Sequence, residues 1–246
     1  MQAQDIYKDF FTDKNTVVAH RGAWKKNGIP QNSIESLREA IRLGCAGTEF
    51  DVHMTADSIL VLCHDNDYLG KIIEDNTYEE LSKIKLPNGE MLPTLDKVLM
   101  EGMKQTNTRF FLEIKNSSTK ERTLISARRI VEMVNRLGAH PWIFYIAFDY
   151  DVAKVVKKLS PHSAVAYLNG DISPEQLAKD NFTGLDYNHS VYKKNEAIIE
   201  ESKKLGLSLN VWTVNSPNDM NYFMSHAFDY ITTDEPELLL EKQIPK

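Results

Sequence analysis

The chain has 246 residues and a mass of 28.1 kDa, which suits one large domain, because α/β barrels reach about 200–250 residues without dividing. Its apolar fraction of 42% and charged fraction of 26% are ordinary for a globular protein and argue against disorder. The net charge is −6 and the basic residues are scattered, which argues against a nucleic-acid partner. The longest apolar stretches, such as residues 143–148, fall well short of the roughly 20 residues that cross a bilayer, so we expect no stable membrane insertion.

The start of the chain and its cysteines leave the compartment open. The first residues, Met1 to Gln4, carry no signal peptide and are compatible with a cytoplasmic protein or with a mature periplasmic or secreted one. Cys45 and Cys63 lack the spacing of metal ligands, so we expect buried free thiols. Oligomeric state is not indicated by any pattern in the chain.

The first predicted elements are a strand and a helix. Residues 16–20 are predicted to form a strand because they are apolar and β-branched. Residues 33–43 carry apolar side chains at a spacing of three or four, which predicts a helix. Either Asn32 or Ser33 can cap this helix, and Gly44 can end it.

The next region predicts a hairpin-like pair followed by an insertion. Residues 48–54 and 59–63 are both predicted to be extended, with a turn-rich segment between them. Residues 66–92 are polar and loop-like, with a short helix predicted near residues 78–84. We interpret this insertion as a lid.

The remaining chain continues the alternation of strands and helices, with helices predicted over residues 94–104 and 119–137. Eight strands are predicted at residues 16–20, 48–54, 109–115, 142–148, 164–168, 184–187, 207–213 and 230–233. Eight strands with intervening helices favour a TIM (β/α)8 barrel, since an open doubly wound sheet more often stops at five or six. We therefore predict one α/β barrel domain over residues 1–246, with the lid inserted after the second strand.

Two carboxylates on the second strand predict a metal site. Glu49 and Asp51 lie two residues apart and project to the same face, while Phe50 and Val52 point to the opposite one. An isolated pair of this kind is more often solvated or salt-bridged. Here the two charges repel each other unless a cation neutralises them. With Glu113 as a third carboxylate, the oxygen ligands favour one divalent cation, Ca²⁺ or Mg²⁺, over Zn²⁺.

Two histidines follow predicted strands and are candidates for acid–base catalysis. His20 ends the first strand and His64 ends the strand after the second, directly before Asp65. A histidine pair can divide the roles of base and acid, because the ordinary pKa of histidine is near 6.5. Asp65 either orients an imidazole or caps the following turn. We expect structural roles for the other histidines: His53, His140, His162, His189 and His226.

Two cations and an aromatic residue complete the candidate site. Arg21 and Lys115 are best placed to hold a phosphate group, Arg21 through its fork of donors and Lys115 as a point charge. Lys115 can equally pair with Glu113. Trp212 ends the seventh predicted strand, where it either walls the pocket or packs in the core. Together these residues predict a site that cleaves a phosphodiester.

The chain resembles the glycerophosphodiester phosphodiesterases, which are related to phosphatidylinositol-specific phospholipase C within the TIM-barrel class. The resemblance spans residues 17–236, and the order and spacing of its short motifs make it specific. The matching segments are Ala19-His20-Arg21-Gly22, Pro30-Gln31-Asn32-Ser33 with Glu35, Glu49-Phe50-Asp51-Val52 through Thr55 and Asp57, Val61 to Asp65, Leu112-Glu113-Ile114-Lys115, Val211-Trp212-Thr213-Val214-Asn215, and Asp229 to Pro236.

The resemblance implies a role for each candidate residue. It implies His20 and His64 as the acid–base pair. It implies phosphate contacts for Arg21 and Lys115 and a cap over the alcohol end of the substrate for the insertion after Asp65. The metal ligands that it implies are Glu49, Asp51 and Glu113.

One segment departs from the family pattern. The family usually reads Pro-Glu-Asn-Thr where this chain reads Pro30-Gln31-Asn32-Ser33. Gln31 removes a carboxylate near the site, which either weakens a contact or changes nothing. Ser33 keeps a hydroxyl that can cap a helix.

We therefore expect metal-dependent hydrolysis of a glycerophosphodiester, such as glycerophosphocholine or glycerophosphoethanolamine, to glycerol 3-phosphate and an alcohol. The nucleophile is either water or a neighbouring hydroxyl of the substrate. One alternative is the same barrel acting on a phosphoinositol, a lysophospholipid or a sugar phosphodiester. The lid would decide between these substrates, since Tyr68, Leu69, Ile72 and Ile73 either face a lipid chain or pack the lid onto the barrel. Another is a barrel that binds ligands without catalysis, since fold does not fix function.

Overall fold

Eight parallel strands close into a barrel at the centre of the structure, a computed structural model that describes residues 15–244. The barrel strands are β1 (Val17–Ala19), β2 (Gly47–Met54), β3 (Arg109–Ile114), β4 (Ile143–Ala147), β5 (Ala164–Tyr167), β6 (Gly184–Asn188), β7 (Ser208–Trp212) and β8 (Tyr230–Thr233). Each strand pairs with its neighbours in chain order, and β1 pairs with both β2 and β8, which closes the ring. The predicted TIM barrel is confirmed. The expectation about residues Met1 to Gln4 lies outside the described residues.

Helices cover the outside of the barrel. Apart from a short helix in the lid, they are α1 (Ile34–Leu43), α2 (Leu95–Gly102), α3 (Lys120–Leu137), α4 (Tyr150–Leu159), α5 (Pro174–Lys179), α6 (His189–Lys194), α7 (Ala197–Lys204), α8 (Pro217–Ser225) and α9 (Pro236–Gln243). Of the two residues predicted to cap α1, Ser33 is the one used, because its hydroxyl accepts a hydrogen bond from the Ser36 backbone N–H at 2.9 Å. Gly44 ends the helix in the left-handed conformation, with φ of 74°.

Successive side chains along the barrel strands point to opposite faces, so one set packs in an outer core and the other set faces the barrel interior. On β2, Phe50 and Val52 pack in the large core between the strands and the helices. The intervening residues, Glu49 and Asp51, are turned toward the barrel interior, as the two-residue spacing predicts. A smaller apolar cluster fills the interior and consists of Val18, Phe111, Phe144, Ile146, Ala166 and Leu168. The barrel is therefore packed, and open space remains at its carboxyl end.

A ninth strand carries the chain away from the barrel. This side strand (Leu60–Leu62) pairs antiparallel with the end of β2, which confirms the predicted hairpin-like pair. The lid follows over residues 66–92. It contains a hairpin of Asp67–Tyr68 with Lys71–Ile72, a 3₁₀ helix (Ile73–Asp75) and the lid helix (Tyr78–Leu81).

The lid shares a small apolar core with the side strand and is fastened to helices α1 and α3 of the barrel. Its core residues are Val61, Tyr68, Ile73, Leu81 and Leu92. The Glu90 carboxylate accepts hydrogen bonds from the backbone N–H groups of Ile34 (2.9 Å) and Glu35 (3.1 Å) at the start of α1, where a negative charge is favourable. Glu74 forms an ion pair with Arg122 on α3 at 3.3 Å. These contacts hold the lid against the barrel.

The expectation of buried free thiols is confirmed for Cys45 and only in part for Cys63. Cys45 is buried and Cys63 is half-buried, and both are free thiols. Burial raises the pKa of Cys45 to about 12 and that of Cys63 to about 11, which favours the protonated thiol at neutral pH. Within residues 15–244, no helix combines the length and the apolar character that crossing a membrane requires.

Candidate active site

The ionisable residues singled out in the sequence meet at the carboxyl end of the barrel. His20 follows β1, Glu49 and Asp51 lie on β2, and Glu113 lies near the end of β3 with Lys115 directly after it. Asp51 and Glu113 are register partners across β2 and β3, which places their side chains next to each other. Polar side chains at the carboxyl ends of the strands converge there without disturbing the core.

His20, Glu49, Glu113 and Lys115 line a pocket of about 230 Å³, and Asp51 lies behind them without lining it. Arg21, His64 and Trp212 also line it, so the structure brings the predicted catalytic and phosphate-binding residues to one place. The rest of the wall consists of Ile146, Phe148, Leu168, Asp186, Thr213 and Thr232. None of the residues that line the pocket belongs to the lid, so a closing role for the lid stays a prediction.

Three buried carboxylates form the acidic side of the site. Glu49 is 4% exposed, Asp51 1% and Glu113 9%. One oxygen from each lies within 4.8 Å of the other two. Glu49 Oε2 accepts a hydrogen bond from the Arg21 backbone N–H at 2.9 Å, but Glu49 Oε1 is buried without a hydrogen-bond partner. Such an oxygen beside two like charges is suited to a cation.

Burial and neighbouring charges shift the pKa values of the three carboxylates in different directions. Burial, together with the charges of Asp51 and Glu113, raises the pKa of Glu49 well above its ordinary value. Burial and the Asp51 charge likewise raise the pKa of Glu113 to about 7. Burial alone would also raise the pKa of Asp51, but Lys115 and the Asn32 hydrogen bond outweigh it and lower that pKa. Asp51 is therefore the carboxylate most firmly ionised.

Two cations lie beside the carboxylates. Lys115 Nζ is 2.9 Å from Glu113 Oε1 and 3.3 Å from Asp51 Oδ1. Burial alone would lower the pKa of Lys115, but these two carboxylates raise it, so the ammonium stays charged. Arg21 Nε lies 3.5 Å from Asp51 Oδ2, and Arg21 Nη1 donates a hydrogen bond to Gln31 Oε1 at 2.8 Å. The amide at position 31 thus contacts Arg21 without neutralising its charge.

The turn after β1 is shaped by packing. Arg21 has φ of 56° and Gly22 has φ of 83°, both in the left-handed region. A Cβ on Gly22 would lie 2.2 Å from the Ser36 hydroxyl oxygen and 2.7 Å from the Ser36 carbonyl carbon. Glycine is required here because the turn packs closely against α1.

His20 is held by a carboxylate from the last barrel strand. Its Nδ1 donates a hydrogen bond to Asp234 Oδ1 at 2.7 Å, which leaves Nε2 facing Glu49 Oε2 at 3.9 Å. Asn215 Nδ2 donates to the other Asp234 oxygen at 2.7 Å. No local pattern in the sequence singles out Asp234 or Asn215, although both lie in segments that carry the family resemblance.

His64 has a similar but more exposed partner. Its Nδ1 donates a hydrogen bond to Asp65 Oδ1 at 2.7 Å, so in the structure Asp65 contacts the imidazole. Burial lowers the pKa of His64, which keeps more of the imidazole neutral at pH 7. His53 is buried and its Nε2 hydrogen-bonds to the His64 carbonyl at 3.2 Å. None of the five histidines expected to be structural lines the pocket.

Trp212 forms part of the apolar wall of the pocket, in contrast to the acidic wall formed by the carboxylates. Its ring meets Phe148 edge to face at 5.5 Å. Its Nε1 donates a hydrogen bond to the Asp186 carbonyl at 2.8 Å, which fixes the indole in place. Of the two roles left open for Trp212, the structure places it on the pocket wall.

Two further polar residues belong to the site, although the sequence does not predict a role for either of them there. Asn32, considered only as a helix cap, donates through Nδ2 to Asp51 Oδ2 at 2.9 Å. Asp186 on β6 lines the pocket and is fully buried. The available signal for Asp186 is an acidic residue between two large apolar ones, Leu185 and Tyr187, on a barrel strand.

Comparison with known proteins identifies a family. The model of the glycerophosphoryl diester phosphodiesterase family matches residues 20–238. A glycerophosphodiester phosphodiesterase from Caldanaerobacter subterraneus subsp. tengcongensis is 28% identical over 241 residues, which cover 92% of this chain and 97% of that protein. The crystal structure of a glycerophosphodiester phosphodiesterase from Parabacteroides distasonis is 44% identical with a TM-score of 0.90, and the match covers 94% of this chain and 97% of that one.

A third protein shares the fold at lower identity. The structure of an Oleispira antarctica phosphodiesterase in complex with the product sn-glycerol-3-phosphate matches with a TM-score of 0.76 and 23% identity. That match covers 96% of this chain and 98% of the other. At this identity the similarity concerns the barrel alone.

Proposed function

The chain belongs to the glycerophosphoryl diester phosphodiesterase family, and we propose that it hydrolyses glycerophosphodiesters to glycerol 3-phosphate and an alcohol, using His20 and His64 as acid and base. The observation that carries this proposal is the meeting of two imidazoles, two cations and three buried carboxylates at one pocket. Each kind of group serves phosphodiester cleavage, because charge is neutralised while protons move on both sides of phosphorus.

The carboxylates fit a divalent cation, Ca²⁺ or Mg²⁺, held by Glu49, Asp51 and Glu113. The buried Glu49 Oε1 without a partner and the close approach of the three carboxylates support this assignment. When all three carboxylates are ionised, the two nearby cations leave a net negative charge, which a divalent cation would neutralise. When bound, a divalent cation stabilises negative charge on the phosphoryl oxygens.

Arg21 and Lys115 would hold the phosphate group. Both line the pocket, and both lie beside Asp51. Arg21 offers a planar fork of donors, whereas Lys115 offers a compact charge between two carboxylates. The phosphate would then lie against Arg21 and Lys115 on the acidic side of the pocket.

The histidines would move the protons. The neutral form of His64 is favoured by its lowered pKa, which supports His64 as the group that accepts a proton from the nucleophile. The Nδ1–H of His20 is engaged by Asp234, so His20 Nε2 is the atom available to donate to the leaving alkoxide. Asp234 and Asp65 then act as positioning residues that fix the two rings.

The apolar side of the pocket would contact the carbon skeleton of the substrate. Trp212 and Phe148 form this wall together with Ile146 and Leu168. Aromatic rings of this kind provide a large contact surface for a small organic group. Trp212 is therefore our candidate for a substrate-binding side chain that does not touch phosphorus.

A substrate panel tests the proposed function. Glycerol 3-phosphate release would be measured from glycerophosphocholine, glycerophosphoethanolamine and glycerophosphoinositol, with Ca²⁺ or Mg²⁺ present. We expect release from at least one of them. A lysophospholipid belongs in the panel, because Leu69 and Ile72 are exposed on the lid while Tyr68 and Ile73 pack inside it. Folded protein that cleaves no member of the panel with either metal would contradict the proposal.

A further inference from the structure

One carboxyl group in the pocket has no partner within the described part of the protein. Asp186 is 1% exposed, and its Oδ1 makes no hydrogen bond there. Its neighbours on β6, Leu185 and Tyr187, pack in the outer core, so the alternation of the strand turns Asp186 into the barrel. Asp186 lines the same pocket as the two histidines.

Asp186 is separate from the three carboxylates assigned to the cation. Only Glu49, Asp51 and Glu113 form a cluster that could hold a metal ion within residues 15–244. Strands β5 and β7 flank β6, and the pocket residues at or just after their ends are Leu168, Trp212 and Thr213, of which Thr213 alone carries a hydroxyl. A buried carboxyl group without a hydrogen bond is costly. The occupant of the pocket is therefore the natural source of a partner.

The chemistry of the position favours a hydroxyl group as that partner. A hydroxyl can donate to a carboxyl group and accept from it, whereas a phosphate oxygen only accepts. Burial, and then the charge of Glu113, raises the pKa of Asp186 to about 8. A protonated carboxyl group donates one hydrogen bond and does not repel an anionic substrate. Beside the apolar side chains of Leu168 and Trp212, such a group favours a polar substituent on the carbon skeleton of the substrate.

We propose that Asp186 binds a free hydroxyl of the glycerol moiety and so makes the pocket prefer glycerophosphodiesters to phosphodiesters that lack hydroxyl groups. This inference rests on the proposed function and names the residue that recognises one end of its substrate. The hydrogen bond between Trp212 Nε1 and the Asp186 carbonyl ties the two recognition residues together. Asp186 is thus a specificity-determining residue, distinct from the acid–base pair.

Calorimetric titration of two phosphate monoesters tests the inference without relying on turnover. Glycerol 3-phosphate and propyl phosphate carry the same phosphate group, but only the first has hydroxyls. Both would be titrated in Ca²⁺ or Mg²⁺ into wild type and into Asp186→Ala, Asp186→Leu and Asp186→Asn. We expect wild type to bind glycerol 3-phosphate at least about fivefold more tightly than propyl phosphate.

The variants separate recognition from a structural role. Asp186→Ala and Asp186→Leu should lose most of that preference, whereas Asp186→Asn, which keeps a donor and an acceptor, should retain it. Thermal denaturation confirms folding, and Asp186→Leu, which fills the volume, serves if Asp186→Ala does not fold. Asn210→Ala is the matched control. Asn210 is the register partner of Asp186 and is also buried with an unpartnered Nδ2, but it does not line the pocket.

The inference is overturned if wild type shows no preference, or if Asp186→Ala and Asp186→Leu keep the wild-type preference. It is also overturned if Asn210→Ala abolishes the preference as fully as they do. Failure of the proposed function looks different, because wild type would then release no glycerol 3-phosphate from any diester. If wild type cleaves a diester and the Asp186 variants keep the wild-type preference, only the inference about Asp186 is overturned.

Discussion

Asn32 and Asp51 are joined by two hydrogen bonds that fix the most firmly ionised carboxylate of the site. Asn32 Nδ2 donates to Asp51 Oδ2 at 2.9 Å, and the Asp51 backbone N–H donates to Asn32 Oδ1 at 3.1 Å. Asn32 reaches this position with φ of 54°, a left-handed conformation that asparagine tolerates better than most residues. A loop residue before α1 thus orients a proposed metal ligand on β2.

Replacement of Asn32 by alanine should weaken the response to divalent cations. We expect Asn32→Ala to lower the apparent metal affinity or kcat/KM by about 10- to 100-fold, because it removes the group that orients Asp51. Titrating Ca²⁺ or Mg²⁺ against activity measures this. Asn181→Ala is the control, since Asn181 has a similar φ of 60° but is exposed and away from the pocket. An unchanged metal titration in Asn32→Ala contradicts the assignment.

The two aspartates that contact the histidines should differ in importance. Asp234 is 19% exposed and Asp65 is 75% exposed, although each lies 2.7 Å from an imidazole nitrogen. We expect Asp234→Asn to lower kcat about 100-fold with little change in KM, since it loses the fixed orientation of His20. Asp65→Asn should cost less than about threefold, because exposed ion pairs contribute little. Steady-state kinetics of both variants decides this, and equal effects would count against the argument from burial.

The buried Glu113 should make the folding stability of the metal-free protein depend on pH. Its pKa is raised to about 7, so the folded state binds a proton that the unfolded state releases near pH 4.5. The stability linked to this proton is present below pH 4.5 and is lost as pH rises through 7. In EDTA, Glu113→Gln should therefore gain stability over wild type across this window, on the order of 2 kcal/mol.

Denaturant unfolding of wild type and Glu113→Gln at several pH values checks this expectation. The difference between the two proteins is the informative quantity, because burial lowers the pKa values of His53 and His64, and these groups favour folding as pH rises. Saturating Ca²⁺ or Mg²⁺ should reverse the order and stabilise wild type more. A pH-independent difference in EDTA would show that Glu113 is ionised in the metal-free fold.

Arg21 should not be replaceable by lysine. Arg21→Lys keeps the charge but loses the fork of donors, one of which contacts Gln31 at 2.8 Å. We expect KM for the diester to rise about tenfold. Arg38→Lys is the control, because Arg38 forms an exposed ion pair with Glu101 on the outer helices. Equal KM values for wild type and Arg21→Lys would exclude a bidentate phosphate contact.

Much of the barrel is predictable because its signals are local. The eight strands are short apolar runs, and α1 shows both a spacing of apolar residues and recognisable ends at Ser33 and Gly44. The residues on and after β2 and β3 are predictable for a related reason. Glu49 and Asp51 stand two apart on an apolar strand, so a shared face follows from strand geometry alone.

The missed residues depend on contacts between distant parts of the chain. Asp234 lies 214 residues from His20, and no local pattern pairs them. Asn32 reads as a helix cap, and only the folded loop shows that its amide is used by Asp51. Asp186 carries a local signal, an acid between apolar neighbours, but its meaning depends on barrel closure. Residues that become partners only when the barrel closes cannot be paired from the periodicity of the sequence.

Metal-restored release of glycerol 3-phosphate from a glycerophosphodiester tests the central claim most directly. Wild type and His64→Ala would be stripped with EDTA and assayed before and after addition of Ca²⁺ or Mg²⁺. We predict that metal restores release in wild type and that His64→Ala, folded and able to bind the metal, loses at least about 100-fold. Full release by metal-free wild type, or release by His64→Ala at the wild-type rate, would contradict the account.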